Sequence, residues 1–105
     1  MILQKYRHKI SNNSVYNSLF EGEPSEVKFG DIEHYSVGSE LCTGSCLVRG
    51  EDSIDIYLVM GYPSTKRYKI ENFETFQSYR FKMTSVRHVP TLVLEQVPLG
   101  LSITV

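Results

Sequence analysis

The chain has 105 residues, a net charge of −1, 41% hydrophobic residues and 22% charged residues. This is the size and balance of one globular domain, residues 1–105, and it excludes wholesale disorder. No apolar run approaches the ~20 residues of a membrane-spanning helix, and Met1-Ile2-Leu3-Gln4-Lys5 meets charge too soon for a signal-peptide apolar region.

The reading that follows is an intracellular protein. The two cysteines, Cys42 and Cys46, are then expected as thiols, and the sequon Asn12-Asn13-Ser14 as chance. The sequence contains no alanine, the best helix former. Val, Ile, Tyr, Phe and Thr are plentiful, and these suit a pleated surface. Composition tilts the fold toward β.

Residues 2–10 alternate. Ile2, Gln4, Tyr6, His8 and Ile10 would share one side of a strand, with Leu3, Lys5, Arg7 and Lys9 on the other. Ser11-Asn12-Asn13-Ser14 is a turn or cap cluster. Val15, Tyr16, Leu19 and Phe20 follow at helical spacing, so one short helix is expected near residues 13–20. Glu21-Gly22-Glu23-Pro24-Ser25 breaks the chain. Val27 and Phe29 alternate with Glu26 and Lys28, and residues 32–37 read as extended.

Two apolar runs, 46–49 and 54–60, flank Gly50-Glu51-Asp52-Ser53 and predict a hairpin. Its second strand is expected to be central. Residues 66–70 read as a strand. Residues 71–84 fit two patterns. Phe73 and Phe76 suit a helical turn, while Phe73, Thr75, Gln77, Tyr79, Phe81 and Met83 suit a strand. The alternation favours a turn at 71–75 and a strand over 76–84. Strands are also expected over 91–97 and over the alternating terminus, Leu99, Leu101, Ile103 and Val105. The sum is an all-β, mainly antiparallel fold, a small β-barrel or β-sandwich with one short helix.

Cys42-Thr43-Gly44-Ser45-Cys46 is one residue longer than the redox C-x-x-C spacing. With His34 and His88 it offers a weak set of four zinc ligands. Buried packing of the two thiols is the stronger reading. No phosphate loop, HExxH or G-x-S-x-G is present. No cofactor is implied, and a non-enzyme is expected.

Charge is segregated. Residues 17–60 carry nine acids against Lys28 and Arg49, and residues 61–90 carry six cations against Glu71 and Glu74. The lead expectation is a non-catalytic protein-interaction module. It would act as a small regulator or inhibitor, meeting a basic partner through Glu21, Glu23, Glu26, Asp31, Glu33 and Glu40.

The alternative is single-stranded DNA or RNA binding over residues 66–88. Lys66, Arg67, Lys69, Arg80, Lys82, Arg87 and His88 would track phosphates, and Tyr68, Tyr79 and Phe81 would stack bases. If those aromatics fill the core instead, that platform disappears. A cysteine-based metal or redox protein ranks third. Exposed strand edges leave homodimerisation open.

Overall fold

The computed structural model describes residues 2–3, 6–22, 36–38, 41–42, 45–61 and 65–104. The N-terminal stretch begins with β1 (Ile2–Leu3) and β2 (Tyr6–Arg7), paired antiparallel. The single strand expected over residues 2–10 is therefore folded back on itself. Period-two alternation reports which side a residue faces, not whether the strand runs on without a turn. Segment 6–11 continues beside β3 (Ser36–Val37) in parallel, through Tyr6↔Ser36 and the Ile10↔Leu41 bridge.

Helix α1 (Asn13–Leu19) forms where its spacing predicts it. The Asn12 side chain accepts from the Val15 N–H at 3.0 Å and satisfies one of the unpaired amides of the first turn. Val15 and Leu19 are buried.

The predicted hairpin also forms. Strands β4 (Cys46–Gly50) and β5 (Ile56–Met60) pair antiparallel with Leu47 opposite Leu58. β6 (Lys66–Lys69) adds antiparallel to β5. β7 (Val86–Val89) then pairs with the other side of β4, and it runs parallel to it.

The result is a four-stranded mixed sheet in the order β6-β5-β4-β7, not closed into a barrel. The all-antiparallel barrel or sandwich expected from the sequence is thereby overturned. A parallel neighbour needs a crossover, and the chain supplies one between β6 and β7.

That crossover is the second departure. Residues 76–84, read as a strand, belong instead to α2 (Phe73–Ser78) and a 3₁₀ turn (Met83–Ser85). Asn72 decides between the two patterns. Its side chain accepts from the Thr75 N–H at 2.9 Å and the Thr75 hydroxyl at 3.0 Å, which caps a helix and gives a strand nothing.

Residues 91–97, also read as a strand, begin as α3 (Thr91–Glu95). The Pro90 carbonyl accepts from the amides of Val93 and Leu94 and so opens the turn. A short apolar run cannot be told from a buried strand by periodicity. At the terminus, Leu99 bridges Arg67 and Ile103 bridges Ile70, both parallel, in place of a regular strand. Ile103 is buried while Leu99 and Leu101 are exposed. These two bridges line the outer side of β6 and shield its edge.

One face of the sheet carries the main core. Leu47, Leu58, Met60 and Ile70 pack there with Val15, Leu19 and Phe20 from the α1 side and with Phe76, Phe81, Leu41 and Ile103. An aromatic series runs through it from Tyr16 to Phe20, Phe81, Phe76 and Phe73, with centroids 5.1–5.9 Å apart.

On the second face α3 packs against β4, and its first residue, Thr91, sits directly over Gly50. Val48 is buried on this face, outside the main cluster. The described elements thus form three layers, with helices on both sides of a mixed sheet. None of the described helices is long and apolar enough to cross a membrane.

Candidate docking groove

Strand alternation places Leu47 and Arg49 on the core face, with Val86 and His88 beside them on β7. Register then sets His88, Arg49 and Ile56 in one row across three strands. Ile70 joins the end of that row, its amide donating to the Ile56 carbonyl at 2.9 Å. Here the helices stop short of covering the sheet. α2 contributes Phe76 to the core and leaves Phe73 at its rim.

The space left is a groove of about 650 Å³, lined by Arg49, Ile54, Ile56, Phe73, Met83 and His88 among others. Three of its large apolar side chains stand in solvent: Ile54 is 85% exposed, Phe73 56% and Met83 46%. Ile56, Ile70 and Phe76 line its deeper part.

Charge is arranged around this apolar centre. Asp55 is answered by Lys69, with Oδ1 to Nζ at 3.8 Å. Glu71 is exposed and His88 is exposed. Arg49 differs from these. It is half-buried, and its Nε is shielded from solvent without a hydrogen-bond acceptor among the described residues.

No family model, no curated protein and no solved structure matches this chain. The groove must therefore be read from its chemistry alone. Arg49 is legible as an anomaly once the hairpin is drawn, because it falls in phase with Leu47 on the buried side. Ile54 and Met83 carried no comparable signal, since their exposure is set by where the helices end.

The residues proposed for a nucleic-acid groove are dispersed. β6 carries Lys66, Arg67, Tyr68 and Lys69, and β7, at the other end of the sheet order, carries Arg87 and His88. Phe81 is 2% exposed and belongs to the core. Tyr79 packs against the same core, and its hydroxyl donates to the Thr104 carbonyl at 2.9 Å. Tyr68 lies so closely over Gly100 that any side chain at that position would overlap its ring.

Arg67 is engaged by the fold. Its Nε donates to the Val97 carbonyl at 2.9 Å, and its guanidinium sits 4.9 Å from the centre of the Tyr57 ring. Lys82 donates to the Asn17 carbonyl. Arg80 is exposed and lies against Gly22. On the second face Arg87, Val48, Tyr57 and Lys69 form one row across four strands, with Arg67 over the ring of Tyr57, a residue absent from the sequence-based set. Arg67 already occupies that ring.

Of the acidic candidates only Glu21 is described, and it is exposed. Glu23, Glu26, Asp31, Glu33 and Glu40 lie outside the described residues, as does His34.

Cys42 and Cys46 are unpaired, half-buried thiols lining one pocket of about 370 Å³ with Arg87 and Ser45. Cys42 and Ser45 are joined by two bonds, Ser45 N–H to the Cys42 carbonyl at 2.9 Å and Cys42 N–H to the Ser45 hydroxyl at 3.0 Å. Burial pushes the Cys46 thiol up from its ordinary pKa, and the nearby Arg87 charge partly offsets this. A thiol held protonated is a slow nucleophile. Among the described residues no three His, Cys, Asp or Glu side chains come together as metal ligands.

Proposed function

We propose that this protein is a non-catalytic interaction module that holds a partner protein in the groove between the β4–β7 row and α2. The observation that carries this reading is the exposure of Ile54, Phe73 and Met83 around one groove. Scattered apolar side chains on a surface need no explanation, whereas apolar side chains gathered around a concavity mark a contact site. An apolar centre inside a rim of Asp55, Glu71 and His88 has the layout of a protein interface.

The occupant is a protein segment and not a small molecule. A small-molecule site encloses most of its ligand, and a groove whose most prominent wall residue is 85% exposed does not. The two free thiols suit a reducing, intracellular setting.

The test uses the tagged chain in native lysate, cross-linked and treated with nuclease. A discrete partner is expected to be retained by the native chain and lost from Ile54→Asp and Phe73→Asp. Retention by both variants refutes the groove as the contact surface. Loss of all partners after nuclease would transfer attention to Arg67, Lys69 and Arg87 on the second face.

A further inference from the structure

We propose that Arg49 is a carboxylate anchor, and that the segment docking in the groove carries an acidic residue between large apolar ones. This rests on the docking reading above and adds the chemistry of the partner.

Arg49 carries an unmet hydrogen-bond donor. A guanidinium offers five N–H groups and is always charged. Arg49 stands on the core face of β4, in phase with the fully buried Leu47. Its Nε has lost contact with water and gained no acceptor among the described residues. A shielded donor left unpaired is costly, and the cost is larger for a charged group.

The acids beside it do not answer it. Asp55 is held by Lys69. Glu71 is exposed and solvated, and its backbone amide donates to the Ile103 carbonyl. Arg49 lines the groove, and an incoming carboxylate can accept from its terminal N–H groups as a charge-assisted pair without reaching the shielded Nε. His88, directly across from Arg49 in register, places a second polar group beside that point.

The apolar walls set the rest of the sequence. Ile56, Ile70 and Phe76 line the depth, and Ile54, Phe73 and Met83 the mouth. The flexible methionine side chain adapts to varied apolar partners. A segment with one Asp or Glu flanked by Leu, Ile, Met or Phe meets both features. A basic segment would bring its charge against Arg49.

The test is selection of a phage-displayed random dodecapeptide library on the immobilised full chain, with Phe73→Asp as counter-selection. Peptides whose binding needs the groove are expected to converge on an acid among large apolar residues. The best is then synthesised with its acid intact and as the amide, and both are titrated by calorimetry. Changing acid to amide is expected to weaken binding to the native chain by about tenfold or more. On Arg49→Gln the two peptides should bind alike.

Arg49→Lys keeps the charge and should retain part of the preference. If Arg49→Gln does not fold by circular dichroism, the acid–amide comparison on the native chain and on Arg49→Lys decides.

Groove-dependent peptides without acids would overturn the anchor and leave docking standing. Basic peptides would also overturn the anchor. A library yielding nothing that depends on Phe73 would overturn both. Saturable displacement of the peptide by decanoate at micromolar concentration would replace the peptide with a small apolar acid.

Discussion

Phe73 and Phe76 lie one helical turn apart on α2, with ring centroids 5.9 Å apart, yet the structure gives them opposite duties. Phe76 is 3% exposed and Phe73 56%. Phe76→Ala removes a fully buried ring that touches Phe81 and leaves a cavity, which costs about 3–5 kcal/mol. Phe73→Ala loses less than half of a ring's burial and one ring contact, about 1–2 kcal/mol together. Alanine's better helix propensity returns roughly 0.5 kcal/mol.

The expected net cost at Phe73 is about 1 kcal/mol, against a total stability of roughly 5–15 kcal/mol for such a domain. Urea denaturation separates the two cases. With a slope of about 1–3 kcal/mol per molar, Phe73→Ala should shift the midpoint by roughly half a molar. Phe76→Ala should shift it several times further or abolish folding. Partner affinity should fall with Phe73→Ala although the protein remains folded. If Phe73→Ala destabilises as much as Phe76→Ala, Phe73 is a core residue, the groove is not an open surface, and the docking reasoning fails.

Further outcomes follow at Arg80 and Cys46. Arg80 closes α2 in the left-handed region at φ 61°, with the Phe81 amide donating to the Phe76 carbonyl and the Arg80 amide to the Gln77 carbonyl. Arg80→Gly should therefore stabilise the fold by about 1 kcal/mol and raise the melting temperature by roughly 4–8 °C, and a lowered melting temperature would show that its contact with Gly22 matters more. Burial raises the Cys46 pKa, so its alkylation by iodoacetamide should be slow at neutral pH and still climbing where an exposed thiol has levelled off. Arg87→Gln should slow it further at fixed pH, because the charge that partly offsets burial is gone. The same raised pKa favours the folded state below the ordinary thiol value, and that contribution is lost as pH rises through the folded value.

The fold was legible where local and tertiary preferences agree. Asn12 before Val15, Tyr16, Leu19 and Phe20 specified α1, and the runs around Gly50-Glu51-Asp52-Ser53 specified β4 and β5. It was not legible where one stretch satisfies two periods. Over 71–84, Phe73 and Phe76 suit a helical turn while Phe73, Tyr79 and Phe81 alternate as in a strand, so the apolar pattern alone does not choose between them. The choice rests on Asn72, whose capping bonds reward only the helix. Over 91–97, apolar residues again suit either state, and only Leu94 is buried. Parallel pairing of β7 with β4 depends on the crossover through α2 and on no feature of β7 itself.

The candidate site was hidden for a related reason. Aromatic-basic interleaving over residues 66–88 matches what a single-stranded nucleic-acid groove uses. A strand or helix then sends them to different faces, and here Phe81 goes inward while Arg80 goes outward. The groove is assembled from β4, β5 and the residues before it, the stretch from Ile70 into α2, the 3₁₀ turn and β7, places that share no local pattern. Its one readable mark was a conflict. Arg49 lies on the core face of β4 in phase with Leu47, and no acid among the described residues answers it. Sequence rules that fail at a single position inside an otherwise regular strand point to a site more sharply than a run of suggestive residues does.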